Sequence, residues 1–203
     1  MTDSPPVDRS LQVAPEAANL ATPYRTHTCG QLRGTDAGSH ARLAGWVHRR
    51  RDHGQLIFLD LRDRYGITQV VVDQNEAPRA HKVASRARSE YVMTADLPGT
   101  ENTRLPTGAV ELRTDDLQIM SEAKNPPFYI NEPDSPIDEG LRLEYRYLDL
   151  RREPMQQRLL LRSRLVHAIR AVHHANGFVE VETPDLIKST PEGARDFIVP
   201  SRL

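Results

Sequence analysis

The sequence predicts a small β barrel followed by the start of an α+β domain, on three observations. Short β-branched runs separated by turn residues fill the region from Leu43 to Thr114. The stretch from Ser121 to Gly140 is rich in Asn-Pro-Pro, Glu-Pro and Ser-Pro pairs, which hold a backbone extended and mark a linker. Beyond it Leu161, Leu165, Ala168, Ile169 and Val172 recur at helical spacing.

In chain order, residues 1–23 are rich in Pro, Ala, Ser and Asp without a sustained period, which predicts a disordered extension. Leu43 to His48 reads as a first strand, with Gly45 marking a bend or a close backbone approach. A basic loop, Arg49 to Gly54, leads into a second strand up to Asp63. There Ile57, Leu59 and Leu61 share one face, while Leu56, Phe58, Asp60 and Arg62 share the other. Asp63 to Gly66 is a turn whose glycine can take a positive φ, and Ile67 to Asp73 is a third strand. On that strand Ile67, Gln69 and Val71 share a face, which could bring Gln69 beside Phe58. Glu76 to Ser89 gains Ala, Arg and Lys and reads as a helix, with Pro78 tolerated in its first turn. Strands follow at Tyr91 to Ala95 and Ala109 to Thr114. Three strands in a meander, a helix and two more strands is the order of a five-stranded oligonucleotide-binding barrel, the OB-fold, here spanning residues 24–120.

A linker over 121–140 separates the barrel from a second region, 141–203, that opens on the charged run Arg142 to Arg152. The helix that follows has Pro154 before it and the cap Asn176-Gly177 after it. Phe178 to Thr183 alternates as a short strand and stops at Pro184. One helix and one strand cannot close a core, so they should bury surface against something else.

Composition narrows the function. The 203 residues are 38% hydrophobic, and no apolar run approaches the length of about 18 residues that a membrane span needs. Met1 to Pro23 lacks a basic leader followed by an apolar run, so a secretory signal is not expected and the cytosol is the default compartment. Cys29 is the only cysteine, which excludes an internal disulfide framework, and the histidines show no zinc-type spacing with it. No metal site is expected. The net charge of -1 hides a basic patch: Tyr24 to Asp73 holds eight arginines against five aspartates. Such a patch suits a nucleic-acid face, although a salt-bridged surface gives the same count. Phe58, a ring on the polar face beside guanidinium groups, either stacks an unpaired base or packs under a loop.

Four pieces, in order and sensibly spaced, go further: Trp46-Val47-His48-Arg49-Arg50-Arg51-Asp52-His53-Gly54; Arg142 with Tyr145-Arg146-Tyr147-Leu148-Asp149-Leu150-Arg151-Arg152; Glu182-Thr183-Pro184; and Ser189-Thr190-Pro191-Glu192-Gly193-Ala194-Arg195-Asp196-Phe197. Together they resemble the N-terminal portion of bacterial aspartyl-tRNA synthetase, a class II aminoacyl-tRNA ligase, from Tyr24 to Leu203. The resemblance implies an anticodon-binding barrel and a truncated class II catalytic domain. It also implies ATP and Mg2+ as needs of the full-length enzyme, a homodimer, and tRNA(Asp) as partner. Arg51, Phe58 and Gln69 match positions that grip the anticodon, and Glu111 matches a fourth. Helix, strand and Pro184 match the dimer-forming motif 1. Glu192 matches a residue contacting aspartate in a mobile loop, where a carboxylate can pair with the substrate ammonium. Taken alone, Glu192 would be a solvated loop acid.

His53 matches a position where histidine accompanies acceptance of tRNA(Asn) as well, although it could simply shape the turn with Gly54. Motifs 2 and 3, which bind ATP, lie beyond Leu203 in the family pattern, so no catalytic residue is assignable and the chain is expected to be inactive alone. The chain is also shorter than the family pattern between Tyr91 and Glu111, with Asp96-Leu97-Pro98-Gly99 where a basic strand is usual, which predicts a truncated fourth strand. Two rivals remain: a non-catalytic tRNA-binding module, and a sister synthetase for asparagine or lysine.

Overall fold

The computed structural model describes residues 20–101, 110–132, 135–186 and 199–200. The chain divides into two compact units between Arg152 and Glu153.

In the first unit the strands are β1 (His40–Asp52), β2 (Leu56–Arg62), β3 (Ile67–Asp73), β4 (Val92–Glu101), β5 (Val110–Arg113) and β6 (Asp116–Ser121), with helix α1 (Pro78–Arg86) between β3 and β4. Pairing runs β1-β2-β3-β5-β4 and returns from β4 to β1, which closes the sheet on itself. β3 and β5 are parallel and the other partners antiparallel. Inside lie Leu43, Val47, Ile57, Leu59, Leu61, Val70, Val72, Met93 and Leu112, all essentially solvent-free. The alternation along β2 sends Ile57, Leu59 and Leu61 inward, as its sequence dictates. Ala80 and Ala84 of α1 are buried with this core.

Four local expectations are corrected. Arg49–Asp52 belong to β1, not to a loop, because arginines pointing to solvent leave the backbone ladder to β2 intact through Asp52↔Ile57. A bulge at His48 is where that register shifts. Gly66 lies outside the positive-φ residues; its place is fixed by proximity, since a Cβ there would fall 2.7 Å from the Gly30 Cα. The fourth strand is not truncated. β4 is ten residues long, pairing with β1 up to Pro98 and taking up β5 from Gly99, so the proline falls where the strand changes partner. The expected five strands become six: the last expected strand is β5, and β6 follows it after a bend held by buried Thr114, whose hydroxyl donates to the Asp116 carbonyl at 2.7 Å. Gly45 does mark a close approach, a Cβ there falling 2.7 Å from the Arg62 carbonyl oxygen.

The proline-rich stretch after β6 is packed rather than free. Phe128 and Ile130 are buried, and the Asn131 amide donates to the His48 carbonyl at 2.7 Å. The charged run Arg142–Arg152 forms α2 (Glu139–Glu144) and α3 (Arg146–Asp149) within this unit. Asp149 is fully buried and pairs with Arg142 at 2.9 Å and Arg146 at 2.5 Å, with Arg152 3.6 Å away. Burial opposes its charge, but the Arg142 hydrogen bond and the three guanidinium charges outweigh it and hold the carboxyl below its ordinary value. The density of arginine in this run therefore has a structural cause.

In the second unit, α4 (Glu153–Ala175) takes Pro154 into its first turn. It ends at Gly177, whose φ of 82° is the left-handed cap expected from Asn176-Gly177. Among the described residues the expected strand Phe178–Thr183 has no ladder partner and is irregular, since a strand needs a neighbour to pair with. The extension over residues 1–19 and the loop Ser189–Phe197, with Glu192, lie outside the described residues.

Candidate nucleic-acid interface

Cross-strand register sets two rows of side chains on the outer barrel face. One runs Arg51, Phe58, Val71, Arg113 across β1, β2, β3 and β5. The next runs Arg49, Asp60, Gln69, Glu111. Because side chains alternate along each strand, both rows project from the same surface. The four residues matched to anticodon gripping are therefore gathered on one face, with Gln69 diagonal to Phe58 rather than directly opposite it.

The groups are bound into one network. Arg51 donates to the Asp60 carboxylate at 2.8 Å and to the Gln69 Oε1 at 2.9 Å. The Gln69 Nε2 in turn donates to Glu111 at 3.4 Å. Arg51 needs an acceptor and Glu111 needs a donor, so this chain sets which way the Gln69 amide faces. Its guanidinium carbon lies 5.6 Å from the Phe58 ring centroid, within cation–π range. His53, in the β1–β2 turn, meets the same ring edge-on at 5.5 Å. That turn is shaped by Gly54, at φ 78°, whose N–H donates to Asp52.

Asp60 is the member that sequence reasoning left out of the site. It is 8% exposed, and burial raises its carboxyl above the ordinary value, with Arg51 pulling it partly back. The signal was its place on the Phe58 face of β2, but the pairing with Arg51 needed the hairpin register. Phe58 is half-buried and lies outside the core cluster, as a stacking platform requires. An aromatic ring with a guanidinium over it, beside an amide and a carboxylate fixed by hydrogen bonds, can stack a splayed base and read its edge. Pro184 is exposed and irregular.

A second cluster lies on the barrel near the bulge. Glu90, buried and at φ 67°, receives Arg62 at 2.9 Å and Arg151 at 2.7 Å, and Arg151 lies 4.6 Å over the Trp46 ring. Arg62 also donates to the His48 Nδ1. Burial, then the charges of Arg62 and Arg49, lower His48 from 6.5 to about 4, so its ring is neutral at physiological pH.

Residues 41–120 match the model for the OB-fold nucleic acid binding domain, and residues 138–203 match that for the class II tRNA synthetases for D, K and N. The fold and these matches thus define an OB-fold domain followed by the start of a class II synthetase domain. More particularly, the chain is similar to curated aspartate–tRNA ligases. It is 52% identical over 187 residues to the aspartate–tRNA(Asp/Asn) ligase of Rubrobacter xylanophilus, covering 89% of this chain. The enzyme of the same name from Moorella thermoacetica is 53% identical over 190 residues, covering 91% of this chain. The chain spans 31% of the length of these curated relatives. Among solved structures, asparaginyl-tRNA synthetase of Pyrococcus horikoshii complexed with asparaginyl-adenylate is similar, with a TM-score of 0.73 and 28% identity. That match covers 82% of this chain and 38% of the other. Aspartyl-tRNA synthetase of Entamoeba histolytica has the same fold, with a TM-score of 0.68 at 19% identity, over 76% of this chain and 38% of its own.

Proposed function

We propose that this chain is the anticodon-binding and opening catalytic portion of an enzyme that activates aspartate with ATP and transfers it to tRNA(Asp). The observation that carries this reading is the gathering of Arg51, Phe58, Gln69 and Glu111 on one barrel face with their polar groups pre-oriented by hydrogen bonds. In this role Phe58 stacks an anticodon base, Gln69 and Glu111 meet base edges, and Arg51 supplies positive charge and holds the amide. ATP and Mg2+ act in the whole enzyme, where the metal would neutralise phosphate charge. Among the described residues of this chain no cluster of three or more His, Cys, Asp or Glu forms a metal site. Glu192 pairs with the aspartate ammonium in this reading.

The enzyme works as a homodimer in the cytoplasm. Its dimer contact is made by α4 and the segment to Pro184, whose Leu161, Leu165, Ile169 and Val172 are exposed in the single chain. No described helix is long and apolar enough to cross a membrane. A sister enzyme for asparagine is less well supported, since the asparaginyl structure is 28% identical against 52–53% for the aspartate ligases.

His53 extends the substrate range to tRNA(Asn). Beside the Phe58 ring, an imidazole can donate or accept toward either of two bases, whereas an aliphatic side chain leaves a mismatched base's polar edge without a partner. Charging of the two tRNAs by the whole enzyme, with His53 and with His53→Leu, tests this. The ratio of the two efficiencies should move toward tRNA(Asp) in the variant; an unchanged ratio removes His53 from discrimination.

A further inference from the structure

An open depression of about 520 Å³ lies between the bulge of β1, the turn that follows α1, and the packed segment 125–132. Arg49, Arg50 and Arg88 line it, against one acid, Glu132. Arg50 is committed to the Ser85 carbonyl and to Asp52. Arg49 and Arg88 are exposed, and among the described residues their side chains make neither a hydrogen bond nor an ion pair. Tyr129, 55% exposed, adds a phenol. Asn131, in its wall, is bonded to the His48 carbonyl at 2.7 Å, which ties the segment to the barrel. His48 is neutral, so the positive charge comes from guanidinium groups alone.

Position gives this depression its meaning. Arg49 stands two residues before Arg51 on the same face of β1, about 6.6 Å along the strand. A single strand that lays a base on Phe58 therefore carries its neighbouring phosphates past Arg49. Two unengaged arginines and a phenol in one hollow suit a phosphodiester, which offers acceptors and charge but no sequence.

We infer that this depression is a second nucleic-acid contact that holds the RNA backbone next to the bases read at Phe58. The inference rests on the tRNA-binding reading above and adds a sequence-independent clamp to it. The test is tRNA binding by the 203-residue chain, followed by fluorescence anisotropy over a range of salt, for Arg49→Gln/Arg88→Gln, Arg49→Lys/Arg88→Lys and, separately, Phe58→Ala. Because both arginines are exposed, the Gln pair should keep the thermal midpoint. Its salt slope should fall by about 1 per arginine removed, with affinity down on the order of tenfold at low salt. The loss should be equal for stem-loops of different anticodon, and the Lys pair should keep most of the slope. Inorganic phosphate should compete no better than chloride at equal ionic strength.

Unchanged affinity and slope in the Gln pair, while Phe58→Ala weakens binding, overturns the clamp and leaves the anticodon reading standing. If none of the variants changes binding, both readings fall. A loss confined to one anticodon makes the arginines base readers and overturns the inference. Specific competition by inorganic phosphate, abolished in the Gln pair without a change in the tRNA slope, makes the hollow a site for a free anion and overturns it as well.

Discussion

Phe58 shows how far one residue can be read from sequence. Its place on the polar face of β2 followed from alternation alone, but whether it packed or stacked depended on what lay across the hairpin. Register supplied Arg51 on one side and Val71 on the other, leaving the ring half-buried and outside the core. Asp60, one turn of alternation further on, was visible as a charge but not as a partner, because strand pairing is not written in either strand separately. His48 carries a pH prediction. Its pKa of about 4 in the fold, against 6.5 when unfolded, means that between these values the unfolded chain binds a proton that the folded chain refuses. Stability should therefore be complete above pH 6.5 and fall as pH drops toward 4. Partial exposure limits this contribution to about 1–2 kcal/mol. Urea midpoints at pH 7 and 4.5 for the native chain and His48→Asn check it: the variant should lose less on acidification, and equal losses would contradict the assignment.

At the scale of elements, strands β1 to β3 and the helix were legible because their periodicity and turn residues agree. The later strands were less so, since Pro98 and Gly99 read locally as a loop while pairing to β1 and then β5 keeps them in β4. The turn between β2 and β3 is a second case where tertiary contact decides. Asp63 accepts from the N–H groups of Cys29, Tyr65 and Gly66 at 2.8, 2.7 and 3.0 Å, drawing the turn against Gly30. A Cβ on Gly30 would fall 2.1 Å from the Tyr65 carbonyl oxygen, backbone against side chain with no flexible group to yield. Gly30→Ala should therefore cost about 2 kcal/mol or more in stability. A chemical-denaturation midpoint within error of the native value would show that the two turns can part without penalty.

For the whole molecule, the barrel is self-contained and the second unit is not. α4 has no buried residue, and the apolar spacing that predicted it places Leu161, Leu165, Ile169 and Val172 at the surface. That spacing identified a helix; it could not identify the surface that covers it, because amphipathicity is the same whether the partner is the rest of the chain or another copy. The dimer reading predicts concentration-dependent association of the 203-residue chain, reduced by Leu161→Glu/Leu165→Glu. Sedimentation velocity checks this: a native chain that stays monomeric at tens of micromolar, or a variant that associates equally, would contradict it. Glu192 and its loop were legible only as a motif, through residues that follow one another in sequence.

The central claim is that the barrel face reads an anticodon. It is tested most directly by the affinity of the chain for an RNA stem-loop bearing the aspartate anticodon against one with those three bases replaced by adenine, measured for the native protein and for Phe58→Ala. The native chain should prefer the first stem-loop, and Phe58→Ala should weaken binding to it by about 1–3 kcal/mol, with thermal stability retained. Equal binding of both stem-loops, or a Phe58→Ala chain that unfolds more easily yet binds unchanged, would place Phe58 in the packing of the barrel and remove the anticodon from this face.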